Sequence, residues 1–206
     1  MLDRLLGVAN KSSQVLVWVG GTMLLFAAVL TTLEVFLRKF LNFSFGGADE
    51  ISGYCFAIST AMAFSYATLQ RAHVRIDALY IHLPRAAQLF LDIVGFLALG
   101  FFLILACSQA FAVWKNSWDY SSVSITPLVT PLALPQGLWL AGMLFFVFCF
   151  VALFLRVAQA LIQRDWVKVS QLISARSLEE EISEETEHAK AEIEREHALQ
   201  NRTPQR

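Results

Sequence analysis

Charge is what this sequence has least of. Only 16% of its residues are Asp, Glu, Lys or Arg, against roughly 25% in an average soluble chain. A soluble domain of 206 residues surrounds one core with a polar exterior. Here the charges sit in short islands between long neutral stretches, a pattern that fits lipid as the solvent. Cysteine is scarce too. Cys55, Cys107 and Cys149 each fall in a different apolar run, which gives neither a disulfide framework nor a C-x-x-C metal spacing; they read as small packing residues. Histidine is missing from every apolar run: His73 and His82 lie between two of them, His188 and His197 near the C-terminus. A four-helix haem subunit needs axial His inside the bundle, so this absence argues against a membrane anchor of a redox complex, the alternative function for such a chain. There is no H-E-x-x-H, no G-x-S-x-G and no phosphate-binding Gly-rich loop. His73 and Asp77 stand four apart but lack a third ligand. The chain therefore reads as non-catalytic, with no metal and no cofactor. No dense Lys/Arg block points to nucleic acid.

What the sequence does contain is four long runs without a formal charge: Val15 to Leu33, Ile51 to Leu69, Ile93 to Trp114 and Leu134 to Leu155. A hydrocarbon core about 30 Å thick takes roughly 20 apolar residues as a helix, and inside it each backbone polar group needs an internal partner. The expected fold is all-α: an integral membrane four-helix bundle with helices at about 15–37, 51–70, 87–114 and 134–163, inside a domain spanning 15–170. Residues 1–14 carry Leu2, Leu5, Leu6 and Ala9 at helical spacing and read as an N-terminal interfacial segment. The first apolar run, too long for a signal peptide, is expected to be an uncleaved anchor. Residues 171–206 read as a charged cytoplasmic tail or helix; from Arg176 onward they hold nine Glu against five Lys or Arg.

Basic residues set the orientation. Arg4, Lys11, Arg71, Arg75, Arg85, Arg156, Arg164 and Lys168 fall on one side; only Arg38, Lys39 and Lys115 fall on the other. Both termini are then cytoplasmic. Trp114, Trp118 and Tyr120 mark the outer interface, and Pro127, Pro131 and Pro135 break regular structure before the fourth helix. Pro84 suits the first turn of the third helix. Asp92 and Arg156 lie near inner helix ends, as interfacial anchors.

Candidate functional residues cluster in two loops. Glu34 and Arg38, four apart at the outer end of the first helix, can pair on one face. Lys39 follows them, and Asp49, Glu50 and Tyr54 open the second helix, where acids favour the positive helix end and Asp49 is a candidate cap. These six are the candidate subunit or binding-protein interface. Arg71, His73, Arg75 and Asp77 form the candidate cytoplasmic loop motif.

These loops carry a resemblance. Arg38, Phe43, Phe45, Asp49-Glu50 and Tyr54, then Gln70-Arg71-Ala72-His73-Val74-Arg75-Ile76-Asp77 with Leu83-Pro84, then Ser121-Ser122, Pro127, Pro131 and Leu134-Pro135-Gln136-Gly137 resemble the small membrane subunit of tripartite ATP-independent periplasmic (TRAP) transporters, the DctQ-type family. The likeness covers about Gln14 to Arg164. Where that family often has a Trp before the acidic pair, this chain has Phe43 and Phe45, and the acidic tail is outside the common pattern. The resemblance implies a small permease subunit of the bacterial inner membrane. Its partners would be a large permease subunit and a periplasmic substrate-binding protein, and the complex would take up an organic anion such as a carboxylate by symport. It implies no catalytic residues.

Overall fold

The computed structural model describes residues 2–44, 46–72 and 83–174, with 183, 186, 187, 189, 190, 193 and 194 beyond them. Five helices are present among these residues: α1 (Leu2–Leu41), α2 (Ala48–Leu69), α3 (Arg85–Asp119), α4 (Ala133–Ile162) and α5 (Trp166–Ile173). Among the described residues there is no strand, only a single antiparallel bridge between Val123 and Pro131. The chain divides into two units, Met1–Ser174 and Ala175–Arg206. In the second unit the described residues are helical and exposed.

Three of the helices, α1, α3 and α4, are long and apolar enough to cross a membrane. At 1.5 Å per residue the 40 residues of α1 extend about 60 Å. This helix runs unbroken through residues 2–14. The 22 residues of α2 reach about 33 Å, but Ser52, Tyr54, Ser59, Thr60, Ser65, Tyr66 and Thr68 lower its apolarity below that of the other three.

The helices end in a common way. Asn42, Arg71, Ser121 and Arg164 follow α1, α2, α3 and α4, and each has φ near +50°, at 49°, 56°, 47° and 56°. The paired bonds that close a Schellman cap are present: Ala72 N–H to Ala67 O (2.9 Å) with Arg71 N–H to Thr68 O (3.2 Å), Ser122 N–H to Ser117 O (3.0 Å) with Ser121 N–H to Trp118 O (3.3 Å), and Asp165 N–H to Ala160 O (3.0 Å) with Arg164 N–H to Leu161 O (3.0 Å). Glycine usually holds this position. This chain uses none there, so the stops are invisible to a search for glycine.

Packing follows seven-residue seams. On α1 the buried positions Ser13, Gly20, Ala27 and Glu34 lie one heptad apart. On α3 Phe96, Leu103, Ala110 and Ser117 do the same. Such a repeat keeps one stripe facing a partner helix along its whole length. The stripe on α1 is small, and α2 comes close: a Cβ on Gly20 would lie 3.3 Å from both Cα and O of Ser59. Contacts down this seam, from Thr31–Ser52 (2.7 Å) to Asn10–Gln70 (2.9 Å), are antiparallel. The centre of the bundle is α4, which packs on α1, α2, α3 and α5. Only 11% of the apolar window is buried in α1 and in α3, against 44% in α4. Gly142 of α4 abuts Ala61 of α2, and Phe150 stacks on Phe96 of α3 with centroids 4.7 Å apart. Val169 of α5, fully buried, closes the inner end of this core.

Two substitutions test the account. Gly20→Val places branched carbon against backbone that cannot retreat, and is expected to destabilise the chain by about 1–3 kcal/mol; Gly21→Ala, where a Cβ meets nothing within 4 Å, leaves stability unchanged or slightly raised. Thermal unfolding in detergent, followed by tryptophan fluorescence, separates the two. Ser121→Gly relieves a left-handed backbone and is expected to raise stability by about 0.5–1 kcal/mol in the same assay.

Candidate functional site

The six outer-loop candidates are brought to one end of the bundle by the turn 42–47. Glu34, 2% exposed, ends the buried stripe of α1. Its carboxylate accepts from Arg38 Nη2 at 2.9 Å and from the Ser44 hydroxyl. The Arg38 side chain remains 60% exposed, so its stem covers the carboxylate while its guanidinium edge stays at the surface. Lys39 and Asp49 are exposed. Glu34 thus holds the start of the first outer loop against the end of α1.

Asp49 does not cap α2, contrary to the sequence expectation. The N-cap is Gly47, whose carbonyl accepts from Ile51 N–H at 3.0 Å, and Asp49 and Glu50 stand in the first turn. A Cβ on Gly47 would lie 2.2 Å from Leu128 Cδ1, so the glycine lets Leu128 pack directly on the backbone where the two loops meet. Gly46, at φ +68°, packs on Pro127.

Glu50 joins the same two loops through polar contacts. Tyr54 Oη donates to Oε1 at 2.6 Å, and the Thr126 hydroxyl donates to Oε2. The Tyr54 hydrogen bond holds the Glu50 carboxyl, which lies before the charge-free run, below the usual carboxylate range. Thr126 is itself fixed by Ser124 Oγ at 3.0 Å. The second outer loop folds back on itself, with Ser124 N–H to Thr130 O at 2.9 Å and Leu132 N–H to Ser122 O at 3.0 Å. Ile125 and Tyr120 project from it, fully or largely exposed. Three prolines in 127–135 signal irregular backbone but not this fold-back, nor its docking onto Gly46-Gly47.

At the inner end, Arg71 Nη1 donates to Ser174 O at 3.3 Å, and the Ser174 hydroxyl donates to Asp92. The turn after α2 is thereby joined to α5 and α3. Arg156 Nη1 donates to Gln159 Oε1 at 3.0 Å. Asp165 caps α5, accepting from Lys168 N–H at 3.2 Å, and its side chain pairs with Lys168 Nζ at 3.0 Å; the Lys168 bonds hold its carboxyl below the ordinary range. Phe45 and the loop-motif residues His73, Arg75 and Asp77 lie outside the described residues. Among the described residues no three His, Cys, Asp or Glu side chains converge.

Glu34→Ala removes a buried acceptor from Arg38 and Ser44. It is expected to cost about 1–3 kcal/mol and to open the first outer loop to protease. Glu34→Gln, which still accepts a hydrogen bond, should cost less; melting and limited proteolysis of the two variants measure both effects.

Comparison with known proteins adds the family. No curated protein and no solved structure matches the chain. The family described as tripartite ATP-independent periplasmic transporters, DctQ component, matches residues 27–160. That stretch begins within α1 and ends within α4, and takes in both outer loops and all six outer-end candidates. Since the match covers more than half of the sequence, this chain belongs to the DctQ family of TRAP transporter components.

Proposed function

We propose that the chain is the non-catalytic small permease subunit of a secondary-active TRAP transporter. It braces the large membrane subunit and helps dock the periplasmic substrate-binding protein during uptake of an organic anion such as a carboxylate. The observation that carries this reading is the joined outer end. Gly47 against Leu128, Gly46 against Pro127 and Glu50 with Thr126 bind two loops into one platform. Arg38, Lys39 and Asp49 stand exposed at this end, where charged rim groups steer encounter and set register more than they add affinity. A platform of this kind suits a subunit that other proteins press against.

The same reading makes α2 the fourth membrane-spanning helix. It runs alongside α4 in the same direction, with Ala61 against Gly142 and Phe64 against Phe146, so it shares the depth of a helix apolar enough to span. Its hydroxyls are largely satisfied internally: Thr60 donates to Phe56 O (2.8 Å), Ser65 to Met62 O (2.9 Å), and Ser52 pairs with Thr31 of α1. A bilayer offers polar groups no other partners. The eight basic residues on one side against three on the other support a bacterial inner-membrane location with both termini in the cytoplasm.

Two measurements test this reading. Purified in mild detergent from its native membrane, the tagged chain is expected to bring a large multi-helix permease with it in near-equal amount; emergence alone, or with a soluble redox subunit, would sink the proposal. Charge reversal of Asp49 and Glu50 to Lys is expected to reduce uptake or assembly by about tenfold, equivalent to about 1.4 kcal/mol. Reversal of Glu194 and Glu196 in the tail should leave both near wild type. Equal uptake by the two double variants at equal expression would refute the role given to the outer platform.

A further inference from the structure

Two helices turn long apolar faces away from the bundle, and the polar side chains on those faces differ. On α1 the exposed hydroxyls of the charge-free run are satisfied within the helix: the Thr22 hydroxyl donates to Trp18 O at 2.9 Å and that of Thr32 to Ala28 O at 2.7 Å. On α3 the exposed Ser108 hydroxyl is likewise satisfied, by Leu105 O at 2.7 Å. Beside it stands Gln109, also exposed. Its amide carries two donors and a two-lone-pair acceptor, and no hydrogen bond to it occurs among the described residues. A hydroxyl can fold back on the preceding turn; this carboxamide does not.

Depth makes the difference matter. Gln109 lies five residues before Trp114 of the outer aromatic belt, about 7.5 Å into the charge-free run. Apart from Gln136 in the first turn of α4, it is the only Asn or Gln in the four charge-free runs. Lipid tails offer its amide no partner.

The residues around it have the period of a second helix seam. Gly95, Phe102 and Gln109 lie seven apart, as do Ala98, Leu105 and Ala112, and all six are exposed. Two interleaved seven-residue rows are the pattern of knobs and holes between helices. Three of the six are Gly or Ala, the residues that let helices approach closely in a bilayer; a Cβ on Gly95 would meet nothing within 4 Å. The row Phe96, Leu103, Ala110 and Ser117, which faces α4 and is buried, uses the same period on a separate face of the helix. The helix is therefore patterned for neighbours on two faces.

We propose that this outward face of α3 receives a transmembrane helix of the large membrane subunit, with the Gln109 amide hydrogen-bonded across the interface. The inference rests on the subunit reading above. The partner helix would bring a hydrogen-bonding side chain or an open backbone carbonyl to the depth of Gln109, and a small residue opposite Phe102. A second copy of this chain fits less well. In a symmetric parallel pair each residue meets its own copy, and Phe102, 64% exposed, would prop the helices apart in the middle of the seam.

The test is site-specific photo-crosslinking in the full chain, co-expressed with the large subunit, with the photoreactive residue at 109 or at Leu25, 67% exposed on α1. The expected result is an adduct with the large subunit from position 109, several-fold stronger than from position 25. Adducts from 109 with lipid alone or with a second copy of this chain, or a stronger adduct from 25, would overturn the proposal. Gln109→Leu should reduce recovery of the large subunit in stringent detergent by about three- to fifteen-fold, the range of interhelical hydrogen bonds in bilayers, while leaving the melting of the isolated chain unchanged. Unaltered recovery counts against the proposal. If the unsubstituted chain fails to co-purify with a large subunit, the subunit reading itself falls; if it co-purifies but position 109 gives no adduct with it, only the assignment of this face falls.

Discussion

At Gly20 the backbone of α1 comes so near Ser59 of α2 that a single added carbon would touch it. Much of the architecture depends on that approach. Because Ser13, Gly20 and Ala27 are small, α2 can lie close along α1 and set its hydroxyls against a neighbour in place of lipid. Ser52 reaches Thr31 and the Ala27 carbonyl, and Gln70 reaches Asn10 near the inner end. Ser59 is buried against this seam with its hydroxyl unmatched among the described residues. With α2 placed, its opposite side accepts α4 at Gly142, and α4 in turn accepts the aromatic stack of α3.

The two ends of the bundle solve the same problem differently. At the end that carries Glu34, a buried carboxylate and a glycine pair hold the loops: Glu34 secures the first loop, while Gly46 and Gly47 leave room for the second loop to lie on it. At the opposite end α5 serves as a plug, its Val169 sunk into the core and its C-terminal Ser174 joined to both Arg71 and Asp92. The outer surface so formed is charged at its rim and apolar where Ile125 projects. The other end is fastened through Ser174 with Arg71 and Asp92, and through Gln70 with Asn10.

Much of this was legible in the residues. Charge-free length located the apolar segments, and the i,i+4 spacing of Glu34 and Arg38 foretold their ion pair. What was hidden has physical causes. The four helix stops use Asn42, Arg71, Ser121 and Arg164 in a conformation that ordinarily signals glycine, so local chemistry gave no mark. Asp49 resembled a cap because its side chain suits that role, but α2 begins two residues earlier, after Gly47, which packs against Leu128 about eighty positions away in sequence. The bond from Thr126 to Glu50 is of the same long-range kind. The second seam on α3 was present in the sequence all along. It became readable only when the structure showed which side of that helix was already taken.

The hydroxyl-rich character of α2 bears on how such a protein is made. A helix enters a bilayer on its own when its side chains partition favourably, and Ser, Thr and Tyr contribute little to that balance. Segment α2 carries seven of them and is less apolar than its three long neighbours. Ser52 finds its partners on α1, which leaves the ribosome first and is joined to α2 by the six residues 42–47. If α2 spans the bilayer as proposed, biogenesis becomes a matter of pairs: α1 would supply the apolar pull, and α2 would follow as the second arm of a hairpin.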